Sequence, residues 1–116
     1  MGRLTTHVLD TARGVPAAGV DVVLYRVDPE LHELARARTN ADGRLDQPIL
    51  EGDDFGVGVY ELVFQAGDYF RAQATGLAEP LFVDEVVLRF GINDAQQHYH
   101  VPLLVSPFAY STYRGS

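Results

Sequence analysis

The chain has 116 residues, 47% hydrophobic and 22% charged, the balance of one globular domain with a single core rather than a disordered segment. A formal net charge of −7 leaves no basic face to neutralise phosphates, so nucleic acid is not an expected partner. With no cysteine there is no disulfide, thiolate metal site or thiol nucleophile.

Met1 to His7 runs straight into polar residues without the apolar stretch of a signal peptide. No run approaches the roughly 20 apolar residues of a membrane span. The expectation is a soluble cytoplasmic protein whose residues 1–116 form a single domain.

Taken in order, Leu4 to Asp10 alternates as a strand, with Leu4, Thr6 and Val8 on one face and Thr5, His7 and Leu9 on the other. Two glycines and a proline mark Arg13 to Gly19 as a loop. Val20 to Val27 is a second strand, and Asp28-Pro29-Glu30 a turn. Glu33 to Thr39 alternates again, and the turn at Asn40-Ala41-Asp42-Gly43 predicts a strand hairpin rather than a short helix.

Gln47 to Gly56 is a polar loop, and Val57 to Gln65 the next strand. Asp68 to Thr75 is the one helix candidate, capped by Asp68 and closed by Gly76. Glu85 to Ile92 is a strand, and two more follow, His98 to Ser106 and Ala109 to Arg114, separated by Pro107. Short strands, tight turns and one brief helix predict an all-β sandwich.

The strand from His98 places Tyr99, Val101, Leu103 and Val105 on a core face. Its other face mixes His98 and His100 with Pro102 and Leu104, too polar for a core and too apolar for water. His7 lies on the corresponding face of the first strand. Such a face suits a subunit interface that also houses a site, and open strand edges are commonly buried by symmetric pairing. A homo-oligomer is therefore expected.

His98 and His100, at i and i+2, are spaced so that two imidazoles can approach one ion, and His7 could supply a third ligand. No Asp, Glu or Cys stands at a supporting spacing, so no metal is expected. Taken singly, His7 reads as an interface histidine, Arg44 as an exposed residue after a turn, and Tyr113-Arg114 as a cap on the sheet. There is no nucleophile elbow, phosphate-binding glycine loop or calcium loop.

Three ordered stretches nevertheless resemble one family. Thr6-His7-Val8-Leu9-Asp10-Thr11 with Gly14 and Pro16-Ala17 resembles the N-terminal signature of the transthyretin-related 5-hydroxyisourate hydrolases. Asn40-Ala41-Asp42-Gly43-Arg44 resembles their central arginine segment. The run from His98 to Pro107 and the end Tyr110-Ser111-Thr112-Tyr113-Arg114-Gly115-Ser116 resemble their C-terminal one. Phe108 and Ala109 stand where Tyr-Gly is more usual.

The resemblance implies a transthyretin-like sandwich of two four-stranded sheets with a short helix. It also implies a homotetramer built as a dimer of dimers, with active sites where the dimers meet. The implied reaction is hydrolysis of 5-hydroxyisourate in urate degradation, with no cofactor. His7, Arg44, His100 and Tyr113 are the implied catalytic residues. Arg44, Tyr113, Arg114, Gly115, Ser116 and His98 are the implied substrate contacts.

Ring opening of that lactam needs an activated water, a stabilised oxyanion and a proton for the leaving nitrogen. Neutral imidazole and guanidinium suit these tasks, and a nearby Arg44 would favour the neutral imidazole. The family also contains the carrier transthyretin, which shares the fold without this histidine, arginine and tail set. A non-catalytic small-molecule carrier is accordingly the alternative reading.

Overall fold

Period-2 patterning sorts the chain into two sheets. The computed structural model describes residues 1–74 and 76–115. Its strands are β1 (Arg3–Asp10), β2 (Val15–Pro16), β3 (Asp21–Val27), β4 (Leu31–Arg38), β5 (Leu50–Glu51), β6 (Gly58–Gln65), β7 (Glu85–Ile92), β8 (Tyr99–Ser106) and β9 (Ala109–Thr112). The helix α1 (Ala66–Gln73) follows β6, and a 3₁₀ turn covers Gly52–Asp54.

One sheet runs β4-β3-β6-β7 and is antiparallel throughout. The other has β1 and β8 parallel at its centre, with β9 antiparallel to β8. The short strands β5 and β2 share the far edge of β1, at Arg3–Leu4 and at Leu9–Asp10. Each sheet is thus four positions wide, the transthyretin-like sandwich the resemblance implies. Leu4, Val8, Leu103 and Val105 meet Leu24, Leu62 and Phe64 in one core cluster, each full burial contributing about 1.5–3 kcal/mol.

The parallel β1–β8 pair positions the site. It joins segments some ninety residues apart and sets Thr5 beside His100 and His7 beside Pro102. The mixed faces of the two strands therefore become one surface, because paired residues share a face. Thr6, on the core face, is buried and donates to the carbonyl of Val101 at 2.6 Å.

The structure corrects several local expectations. The hairpin forms between β3 and β4 through Asp28-Pro29-Glu30, not at Asn40–Gly43. The latter turn leads back to β1 instead, where Val8 N–H donates to the carbonyl of Gly43. Segments expected to be loop supply β2 and β5, whose pairing only β1 could reveal.

The helix begins at Ala66, with Asp68 inside its first turn and paired to Arg71 rather than capping it. A tertiary contact occupies a free N–H near that helix start: Gly67 N–H donates to the carbonyl of Asp84, an approach so close that a Cβ on Gly67 would collide with the Asp84 side chain. Ala74 is already extended, so Gly76 does not close the helix, and Thr75 lies outside the described residues. The last strand stops at Thr112. Among the described residues no helix is long and apolar enough to cross a membrane.

Candidate active site

On the joined face of β1 and β8 the Thr5 hydroxyl lies between two imidazoles. It is 2.8 Å from Nδ1 of His100 and 3.3 Å from Nε2 of His98. The other nitrogen of His98, Nδ1, accepts a hydrogen bond from Nε–H of Arg3 at 3.2 Å. Arg3, Thr5 and His7 occupy alternate positions of β1, so one side of the strand carries the whole polar row.

The turn after Asn40 brings Arg44 to this row. The Asn40 side-chain carbonyl accepts from the N–H groups of Asp42 and Arg44, and Asn40 N–H donates to the Arg44 carbonyl at 2.7 Å. Gly43 takes φ +75°, and a Cβ there would strike the carbonyl of Val8, so the turn needs glycine twice over. The turn docks on β1 as a bridge between His7 and Arg44. Nε2 of His7 lies 2.9 Å from the carbonyl of Asp42. A carbonyl only accepts, so His7 carries its proton on Nε2, and the neutral ring keeps a lone pair on Nδ1.

The tail reaches the same surface from the other side. Gly115 N–H donates to the carbonyl of His100 at 2.7 Å, and His100 N–H returns to that of Gly115 at 3.3 Å. A Cβ on Gly115 would lie 3.0 Å from Cδ2 of His100, so the bare backbone lies directly against the imidazole. Arg114 anchors this pairing. Its guanidinium stacks 4.0 Å above the Tyr99 ring and donates to Oε1 of Gln97 and the carbonyl of His98.

A cleft of about 570 Å³ opens on this face, lined by Arg3, Thr5, Arg44, Gln47, His98 and His100 among others. His7 stands just beyond its lining. His100 is half-buried and its pKa is held below the ordinary 6.5, first by burial and then by the charges of Arg44, His7 and His98. It is thus a neutral imidazole near pH 7. Among the described residues, no three His, Cys, Asp or Glu side chains converge as a metal site.

The structure therefore brings His98, His100, Arg44 and Gly115 together, with His7 adjoining. It does not bring Tyr113 and Arg114 into that cleft: both line a separate one of about 410 Å³ between β7 and the β8–β9 pair. Ser116 lies outside the described residues. Thr5 and Arg3 were not among the candidates read from sequence, although their alternation with His7 on one strand face was a signal that pointed to them.

The sequence model of the HIUase/Transthyretin family matches residues 4–115. The chain belongs to that family. Within it, the chain is 63% identical to a 5-hydroxyisourate hydrolase of Pseudomonas aeruginosa, over 100% of this chain and 93% of the relative. The solved 5-hydroxyisourate hydrolase of Klebsiella pneumoniae is 34% identical over the full length of both chains, with a TM-score of 0.80. Sea bream transthyretin, solved in complex with thyroxine, is 26% identical over 97% of this chain and 94% of its own, with a TM-score of 0.86. The solved hydrolase and the solved transthyretin thus share this fold, and the fold alone does not decide function.

Proposed function

We propose that the chain hydrolyses 5-hydroxyisourate to 2-oxo-4-hydroxy-4-carboxy-5-ureidoimidazoline, without a cofactor, as a single cytoplasmic domain spanning residues 1–116. The observation that carries this reading is one cleft in which Arg44 and a neutral, half-buried His100 meet, with His7 adjoining. The names borne by full-length relatives support the same reading.

In this mechanism Nδ1 of His7 accepts a proton from water as the oxygen attacks the lactam carbonyl. The carbonyl electron pair moves onto oxygen, where Arg44 stabilises the charge and grips the planar ring through paired donors. The C–N bond then breaks, and His7 returns the proton to the leaving nitrogen, so charge and protons balance. His100 contacts the substrate from the cleft wall and His98 stands behind it. Gly115 seats the tail beside His100, Arg114 anchors it, and Tyr113 and Ser116 close the pocket once subunits assemble.

That assembly, in the same proposal, is a homotetramer made as a dimer of dimers. Arg36 and Arg38 charge the open edge of β4, and charged edges resist pairing. β9 carries no charge and Tyr110 on it is exposed, whereas β7 beside it presents Glu85 and Arg89 as well as Val87, so β9 is the edge that suits symmetric pairing. Tyr113 lies on that side.

The carrier reading draws on the fold shared with transthyretin. A cleft lined by two guanidiniums and two imidazoles fits an oxygen-rich substrate better than an apolar cargo. The test is ultraviolet decay of fresh 5-hydroxyisourate with purified protein against buffer. Acceleration well above the spontaneous rate is expected, and a rate equal to buffer's overturns the hydrolase in favour of the carrier.

A further inference from the structure

We infer that Thr5 is a positioning residue: its hydroxyl holds His100 as an Nε2–H donor, so that His100 polarises the substrate while His7 does the proton transfer. This rests on the hydrolase reading above. The inference follows from the order of hydrogen bonds, beginning at the one group whose role is fixed.

Arg3 stays protonated and its Nε–H only donates, so Nδ1 of His98 accepts and neutral His98 carries its proton on Nε2. Nε2–H of His98 then donates to the Thr5 oxygen. Thr5 has one hydroxyl proton, and its remaining partner among the described residues is Nδ1 of His100, at 2.8 Å. Accepting from His100 as well would turn the Thr5 proton away from every partner among the described residues, so the assignment is Thr5 O–H donating to Nδ1 and the His100 proton on Nε2.

A neutral imidazole in this tautomer has no lone pair on Nε2 with which to take a proton from water. It presents an N–H to a developing negative charge, which needs no proton transfer and therefore no reorganisation during the reaction. Arg44 and the buried site keep the ring neutral, as this role requires. His7 is set the opposite way: its Nε2–H is occupied by the Asp42 carbonyl, and Nδ1 keeps the lone pair. A side-chain network at His100 and a backbone carbonyl at His7 thus divide donor from base between two identical side chains.

The experiment compares wild type with Thr5→Val, which keeps the side-chain shape without the hydroxyl, and Thr5→Ser, which restores it. The readouts are the ¹⁵N resonances of His100, which distinguish its tautomers, and steady-state kinetics of 5-hydroxyisourate decay. Wild type and Thr5→Ser are expected to show a protonated Nε2 and an unprotonated Nδ1. Thr5→Val is expected to mix the tautomers and lose about 10-fold or more in kcat with little change in KM.

A protonated Nδ1 on His100 in wild type overturns the inference, even should Thr5→Val fail to fold. Unchanged kcat in Thr5→Val, or lost kcat with an unchanged tautomer, overturns it as well. A wild type that does not accelerate decay overturns the hydrolase reading and the catalytic half of this one, while the spectrum still decides the hydrogen-bond half.

Discussion

At the scale of the residue, His100 has the most sharply defined environment. Burial acts first in lowering its pKa below 6.5, and Arg44 is the largest charge acting with it, followed by His7 and His98; Arg3 and Asp46 also face the cleft. Arg44→Gln is therefore expected to raise the His100 midpoint yet leave it below 6.5, as read by NMR titration. An unmoved midpoint would mean that Arg44 does not face the ring in solution. The sign also applies to stability. The unfolded chain binds this proton more readily, so His100's contribution is whole above about pH 6.5 and declines as pH falls through the folded value. His100→Asn is expected to cut turnover by about 10²-fold or more in a folded protein, checked by the decay assay.

At the scale of the element, one junction sets the site and another anchors the helix. The Asn40–Arg44 turn positions both His7 and Arg44, and it depends on Gly43. Gly43→Ala faces a left-handed backbone cost of about 1–2 kcal/mol, besides the collision with the Val8 carbonyl. A lower melting temperature by circular dichroism with at least about tenfold lower activity is expected; full activity would show that the turn does not set the site.

The second junction ties α1 to β1. Buried Asp10 accepts from Tyr69 O–H at 2.8 Å and from the N–H groups of Ala12 and Arg13. Asp10→Ala strands the buried Tyr69 hydroxyl and is expected to lower urea-unfolding stability by about 3 kcal/mol. A loss under about 1 kcal/mol would show that Tyr69 finds another partner.

At the scale of the molecule, Tyr113 lines a different cleft from His100 on one chain. The proposed tetramer gives Tyr113 a place against a neighbouring subunit. Light scattering should return about four times 12.8 kDa at working concentration. A fully active 12.8 kDa monomer would show that one chain suffices.

The strands, their core faces and the mixed faces of His7, His98 and His100 were legible in the sequence, because alternation is local and each strand carries its own. The family motifs also marked Arg44 and Gly115, although their spacing does not state what they touch. The start of the helix was not legible: Gly67 finds its partner in Asp84, a contact no local pattern encodes. Nor were β2 and β5, which exist only against β1.

Thr5 marks the boundary most clearly. By itself it is one polar residue on a mixed strand face, and nothing about it proclaims a task. Only the parallel pairing of β1 with β8 sets it between His98 and His100. Residue type and period determined which groups face the site, while the register between distant strands decided which nitrogen each histidine presents, because a hydrogen-bond chain exists only once its members are in contact.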